Sequence, residues 1–341
     1  MEQLTRKSFI GGMACFAAAG RAFPAQRDES LRSVLLHLGM NMWGDSECRD
    51  CVRTHDALWR DCVDRAAASG CNAVFVDLGE ACAYPSHPEL AVKGTWSVEK
   101  MRAELARMRG LGLEPFPKLN FSASHDAWLK VYGRMVSTRR YYQVVADLIR
   151  DVCEIFDHPR LFHIGFDEEM AIAQENQSLL VVRQGDLWWH DVGYTIGCVE
   201  KNGARPVMWA EACWRGREEY CRRMSKGVLQ SNCCYHSDFS AAKQKWKVDF
   251  ELQGGWGGNR NCVAAFLALD EAGFDQLPCG SNCLDDPGSV AALVKFCRER
   301  IAPERLKGFC VAPWSSCEPD EPEKRHVSRV HEALEDFRAA L

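Results

Sequence analysis

The chain has 341 residues, 47% hydrophobic and 26% charged, with a formal net charge of −5. That length and composition suit one large core or two small ones, and the absence of a basic stretch interleaved with aromatics argues against nucleic acid as the main partner. Eleven Trp are many for this length, and indole faces pack against the apolar faces of sugar rings as well as inside a core.

Residues 1–28 read as an export leader ahead of a single domain at 29–341. Arg6 and Lys7 precede the short apolar run Phe9 to Ala19, and Ala22 to Ala25 supplies small residues for cleavage. The run is too short to span a membrane as a helix. Thr5-Arg6-Lys7-Ser8-Phe9-Ile10 resembles the twin-arginine export signal with Lys7 at the second arginine. The protein is therefore expected in the periplasm or outside the cell, without stable membrane insertion.

Beyond the leader, short apolar runs alternate with longer amphipathic ones. The runs are VLLHLGM at 34–40, NAVFVDLG at 72–79, EPFPKLNF at 114–121 and LFHIGF from 161, then RPVMWAEA at 205–212, KGVLQSN at 226–232, FDQLPCGSN at 274–282 and LKGFCVAPW at 306–314. Between them lie helical patterns, such as Val98 to Arg109 and Tyr141 to Phe156, with apolar residues three and four apart. Strand then helix, repeated through the domain, predicts an α/β fold of the (β/α)8 TIM-barrel class. The run VDFELQGGWGG at 248–258 has no strand slot and is read as an excursion between the sixth and seventh strands. An open doubly wound sheet is disfavoured, because no glycine-rich nucleotide fingerprint follows the first strand.

Barrel chemistry sits at the C-terminal strand ends. Those ends present Asn41, Trp43 and Asp45; Asp77 and Glu80; Lys118 and Asn120, followed by His125 and Asp126; then His163, Asp167, Glu168 and Glu169. Further on come Trp209 and Glu211, Asn232, Tyr235 and His236, Ser281 and Asn282, and Trp314. The most informative stretch is Leu161 to Glu169, LFHIGFDEE, an apolar run that ends in three consecutive carboxylates. His163, Gly165 and Asp167 alternate onto one strand face. Glu168 starts on the other face and has to be turned in by the strand's end.

Cysteine usage is unusual, with 18 in the chain, and losing Cys15 with the leader leaves an odd 17. A complete disulfide framework is excluded, and Cys71, Cys198, Cys279 and Cys310 sit where small hydrophobes would serve. Cys48 and Cys51 form one C-x-x-C and Cys233-Cys234 a vicinal pair, without partners at zinc-ligand spacing. No metal or cofactor is expected.

Leu161 to Glu168 resembles the H-x-G-G-D-E signature of family 20 glycoside hydrolases, the β-N-acetylhexosaminidases. Tyr84 to Trp96 is similar to the segment after that family's second strand, Gly203 to Glu211 to its fifth strand and Phe309 to Trp314 to its eighth, in the right order over most of residues 33–317. The resemblance implies a (β/α)8 barrel and a retaining, substrate-assisted mechanism in which the sugar's own 2-acetamido oxygen attacks the anomeric carbon, an exception to the two-carboxylate scheme. It gives Asp167 the role of polarising the acetamido group and Glu168 that of general acid/base. It places Trp209 and Trp314 in the pocket wall, Tyr235 at the acetamido carbonyl, Glu211 on sugar hydroxyls and His163 as a brace for the acids. Asn120, His125 and Asp126 complete the substrate-binding set from the third strand end, His125 matching the family's proline-glycine-histidine.

Three departures stand out. Phe166 occupies a glycine position of the signature, the first strand lacks the family's sugar-gripping arginine, and Lys118 and Asn120 replace two acids. The partner expected is a glycan or amino-sugar substrate. Two alternatives remain at this level: a glycan-binding barrel without catalysis, and a conventional two-carboxylate glycosidase pairing Glu168 with Glu211 or Glu251.

Overall fold

A computed structural model describes residues 30–43, 48–175, 177–240, 258–284 and 286–341. The leader at 1–28, Asp45, Glu251 and residues 248–257 of the excursion lie outside the described residues. Eight parallel strands form one sheet: β1 (Leu31–His37), β2 (Ala73–Asp77), β3 (Glu114–Lys118), β4 (Leu161–His163), β5 (Arg205–Trp209), β6 (Leu229–Ser231), β7 (Cys279–Gly280) and β8 (Gly308–Val311). Their order is β6-β5-β4-β3-β2-β1-β8-β7. The remaining seam between β6 and β7 is bridged by backbone bonds, Gln230 N to Asp275 O (3.0 Å), Leu277 N to Gln230 O (2.8 Å) and Cys279 N to Asn232 O (2.8 Å). The sheet is a (β/α)8 barrel, as the alternating runs predict.

The outer layer holds α1 (Asp56–Ala68), α2 (Val98–Gly110), α3 (Arg139–Ile155), α4 (Gly185–Lys201), the short α5 (Glu211–Arg215) and α6 (Arg217–Arg223), then α7 (Gly258–Glu271), α8 (Ser289–Arg300) and α9 (Val327–Ala340). Their positions follow from spacing. In α3, Val144, Val145, Leu148, Ile149 and Val152 make one buried stripe, and Thr138 caps its start by accepting from Tyr141 N–H. Such stripes meet the outward strand residues Val34, Leu36, Val74 and Val76 in the larger core.

Inward residues form a second core. Leu31, Leu35, Phe75, Phe116, Leu161, Val207, Leu229 and Leu277 plug the barrel. Above this plug the inward positions turn polar: His37 pairs in register with Asp77, Asp77 with Lys118, and Lys118 with His163. All four side chains are buried. Lys118 and His37 Nδ1 (3.0 Å) both meet Asp77 Oδ2. Lys118, which stands in place of an acid, thus has its counter-charge on the neighbouring strand.

Candidate active site

The site grows from the turn after β4. The chain stays hydrogen-bonded to β5 through Ile164 N to Val207 O (2.9 Å) and Trp209 N to Gly165 O (3.1 Å). It then bends sharply, with φ of 76° at Gly165, 67° at Phe166 and 52° at Glu168. This left-handed backbone turns Glu168 from the far face of the strand towards Asp167. Left-handed φ costs about 1–2 kcal/mol at a non-glycine residue. At Phe166 that cost is offset by burial, which contributes about 1.5–3 kcal/mol for a large apolar side chain. The ring is fully buried, edge-on to Trp188 with centroids 6.3 Å apart and the Arg183 guanidinium 4.9 Å above it. That is how a phenylalanine occupies a glycine position of the signature.

Gly165 has no such latitude, since a Cβ there would lie 1.9 Å from Asn120 Oδ1. Gly165→Ala is expected to cost about 1–3 kcal/mol from overpacking beyond its φ penalty. Gly112→Ala is the control, at a φ of 80° with open space around it. Denaturant titration of both variants checks this; equal losses would remove the clash as the cause.

Asp167 Oδ1 accepts from Asn120 Nδ2 (2.8 Å), and its backbone carbonyl accepts from the hydroxyls of Ser122 and Ser124. His125 Nε2 lies 3.4 Å from Asp167 Oδ2 and 3.2 Å from Glu168 Oε2, so one imidazole nitrogen joins the two acids. Burial alone would push the Asp167 carboxyl up, but the charge and hydrogen bond of His125, with Lys118 and Asn120, hold it below the usual carboxylate range. Burial likewise opposes charge on His125, yet Asp167 and Glu168 raise it to about 10. The result is a buried imidazolium between two carboxyl groups.

Glu211 starts α5, and its Oε2 accepts the Glu168 backbone N–H at 2.6 Å. Burial, reinforced by Glu168 and Asp167 against the pull of Arg215, raises its carboxyl to about 8. A raised carboxyl pKa means that the folded state holds a proton the unfolded chain releases, so this group removes stability as pH rises from about 4.5 to 8. Glu211→Gln is therefore expected to melt close to wild type near pH 5 and above it at pH 8.5. A constant difference across that range would contradict the assignment.

His163 accepts the Gly165 N–H at Nδ1 (3.1 Å), which places its own proton on Nε2. Burial and nearby Lys118 lower it to about 3, so the ring is neutral. It braces the turn backbone and packs against Trp209, with centroids 4.5 Å apart. From there rings continue around the rim: Trp209 to Trp314 at 5.6 Å, Trp314 to Tyr235 at 6.3 Å and to His37 at 5.6 Å, then His37 to Trp43 at 6.1 Å and Trp43 to His125 at 6.5 Å. Of the 16 buried side-chain polar atoms without a partner among the described residues, six lie at this end: His37 Nε2, His125 Nδ1, His163 Nε2, Trp209 Nε1, Glu211 Oε1 and Trp314 Nε1. Buried polar groups are nearly always paired. A concentration of unpaired ones in one place marks where a polar ligand would satisfy them.

Asp126 and Glu169 stand apart from the acid pair, as do Glu80, which accepts from the Met40 and Asn41 N–H groups, and Asn232, which bonds Trp214 and Cys262 O. Asp126 lines a separate cavity of about 280 Å³ with Ala127, Lys130, Arg134 and Leu179, and burial pushes its carboxyl well above the usual range. Glu169 points into an ion cluster, taking Arg183 on both oxygens and the Ala123 N–H at 2.8 Å, while Arg183 also reaches Asp191 at 3.3 Å and Phe121 O at 2.9 Å. Arg183 carried no sequence signal, being one isolated arginine in an irregular loop. His37 was legible only by parity, as the last inward residue of β1. Among the described residues no group of three or more His, Cys, Asp or Glu is placed to hold a metal, and none of their 17 cysteines is joined in a disulfide. No helix among them is long and apolar enough to cross a membrane.

In sequence the chain matches no family profile and no curated protein. In structure it is similar to a β-N-acetylhexosaminidase from Bacteroides fragilis, with a TM-score of 0.60 and 13% identity over 91% of this chain and 65% of that one. It is also similar to the GH20 β-N-acetylhexosaminidase of Streptomyces coelicolor, with a TM-score of 0.57 and 14% identity over 89% of this chain and 63% of that one. Against dispersin B the TM-score is 0.56 and the identity 14%, over 90% of this chain and 97% of the other. The chain thus spans less than two thirds of the two longer enzymes and nearly all of dispersin B. What these comparisons establish is the fold: the chain is a (β/α)8 barrel of the kind found in GH20 β-N-acetylhexosaminidases, and divergent from them in sequence.

Proposed function

We propose that the protein is a retaining glycoside hydrolase acting on 2-acetamido sugars by substrate assistance. The observation that carries this reading is the convergence of Asp167 and Glu168 on His125 Nε2, at 3.4 and 3.2 Å, with Asp167 held as an anion. An anion beside the acetamido N–H stabilises the positive charge that develops as the acetamido oxygen bonds to C1. Glu168 gives its proton to the departing glycosidic oxygen as the C1–O bond breaks, leaving an oxazolinium ion. It then takes a proton from water as that water opens the ring at C1, restoring both the acetamido group and the acid. His125, within reach of both carboxyls, keeps the pair oriented through the cycle.

Trp209, Trp314 and Tyr235 supply apolar faces for the pyranose, and the unpaired polar atoms around them suit its hydroxyls. Asn120 holds Asp167 in place, and Asp126, turned to its own cavity, is left without a part in the chemistry. Glu211 fits a nucleophile poorly, because it is protonated below about pH 8 and committed to the Glu168 backbone. A leader-directed export route remains part of the proposal.

The test is a panel of 4-nitrophenyl glycosides: the 2-acetamido-2-deoxy glucoside and galactoside beside the parent glucoside and galactoside. Turnover confined to the 2-acetamido members is expected. Comparable rates on the parent sugars would overturn substrate assistance, and sugar binding without turnover would identify a recognition barrel.

A further inference from the structure

We propose that Cys213 and Cys221 form a redox-reversible thiol–disulfide site, and that closing it with a low-molecular-weight disulfide as oxidant displaces α5 and slows the chemistry at Glu168. The site stands on its own geometry, and only its effect on turnover rests on the hydrolase reading. Cys213 lies in the middle of α5 and is fully buried, whereas Cys221 on α6 is half-buried. Their thiols hydrogen-bond to each other, and Cys221 Sγ in turn meets Ala268 O on α7 at 3.7 Å. The Cys213 S–H, with the charges of Lys226 and Arg217, holds the Cys221 thiol down at about 7 against burial. An accessible thiol that ionises near neutrality, with a second thiol in contact, is the arrangement that reacts with oxidants. Among the described residues Cys62 with Cys317, Cys234 with Cys262 and Cys279 with Cys310 also hydrogen-bond, but all six of those side chains are buried.

The helix that carries Cys213 gives the pair its reach. α5 has five residues, and its side chains hold the acid turn at two points: Glu211 Oε2 accepts the Glu168 N–H at 2.6 Å, and Arg215 Nη1 donates to Glu169 O at 3.1 Å. Trp214 Nε1 ties the same helix to Asn232 Oδ1 at 2.8 Å. Cys213 sits between these anchors, so a pull on its sulfur is carried to the Glu168 backbone, which is already in left-handed φ. A disulfide needs its sulfurs about 2.05 Å apart, well inside the separation of two hydrogen-bonded thiols, and closing that gap draws α5 towards α6. The reaction balances with an external disulfide, RSSR. The Cys221 thiolate attacks one of its sulfurs, forming a mixed disulfide as the S–S bond breaks, and the departing RS⁻ takes up the proton that Cys221 gave up. Capping Cys221 removes the hydrogen-bonded charge that holds the Cys213 thiol high. Cys213 then loses its proton, attacks Cys221 Sγ and expels the second RS⁻, which takes that proton. Two protein thiols are oxidised and one RSSR is reduced to two RSH. An oxidising compartment closes such a pair and a reducing one opens it.

The experiment equilibrates the full chain in buffers of reduced or oxidised glutathione, quenches it in acid and maps crosslinked peptides by mass spectrometry, in wild type, Cys213→Ala and Cys221→Ser. Turnover of a 4-nitrophenyl 2-acetamido glycoside is read on the same samples. In wild type the oxidising buffer is expected to give a Cys213–Cys221 crosslink and to lower turnover about 10²-fold, the loss that follows a small misplacement of a reacting group. Dithiothreitol reverses both. Cys221→Ser keeps the reduced wild-type rate in either buffer, and Cys213→Ala halts at the mixed disulfide on Cys221. A wild type left uncrosslinked, or crosslinked with no loss of turnover, overturns the proposal, and this comparison needs no variant to fold. So does an oxidative loss that persists in Cys221→Ser. If no glycoside turns over in either buffer, hydrogen–deuterium exchange of peptides spanning residues 161–170 reads the same displacement. Faster exchange in the crosslinked form then upholds the redox site while the hydrolase reading falls, whereas identical exchange in the two forms sinks the coupling to Glu168.

Discussion

Glu168→Gln is expected to lower kcat on an alkyl 2-acetamido glycoside by about 10²–10⁴-fold, the contribution of a positioned general acid. The loss shrinks on a 4-nitrophenyl glycoside, because that leaving group departs with little need of a proton. Asp167→Asn is expected to fall by about 10²–10³-fold on both substrates, since it removes charge stabilisation rather than proton delivery. The two variants are thus told apart by their response to the leaving group. The double variant should fall little below the worse single one, because residues that act as a unit are not additive. Steady-state kinetics on the two substrates check all of this. A Glu168→Gln deficit independent of leaving group would remove Glu168 from the acid role.

Arg183→Met is expected to destabilise the fold by about 3–5 kcal/mol, among the largest single losses in the chain. Arg183 is buried and pairs with both Glu169 and Asp191, which are themselves buried. Removing it strands two carboxylates without water. It also frees Phe121 O, and it loosens the base of the turn, since Glu169 directly follows the acid pair. Urea titration reads the loss. The triple change Arg183→Met with Glu169→Gln and Asp191→Asn should recover most of it, because the uncompensated charges, rather than the lost contacts, dominate. A triple variant no more stable than Arg183→Met would show that packing decides.

The barrel was legible because its signal is local: eight apolar runs, alternating in parity, separated by helical spacing. The strands end earlier than their runs, as at Ile164 and Gly165, which keep backbone bonds to β5 while the chain begins its turn into the rim. The acid pair was legible for the same reason, as the abrupt end of an apolar strand. Which of the three carboxylates faces the site was less so. It depends on left-handed backbone at Phe166 and Glu168, and neither residue type advertises that conformation. The supports are long-range, joining Asn120 to Asp167 and Lys118 to Asp77 across strands 41 to 47 positions apart. His125 and Asp126 illustrate the limit, since adjacent residues in one loop diverge, one to the acids and one to a separate cavity.

Substrate assistance makes the acetamido oxygen the nucleophile, so its electron density must govern the rate. The most direct measurement is kcat/KM on 4-nitrophenyl glycosides whose 2-acyl group carries no, one, two or three fluorines. Each fluorine withdraws charge from the carbonyl oxygen while leaving the hydroxyls and leaving group unchanged. The rate is predicted to fall steadily along the series. A flat profile would contradict the mechanism and return the nucleophile to the protein.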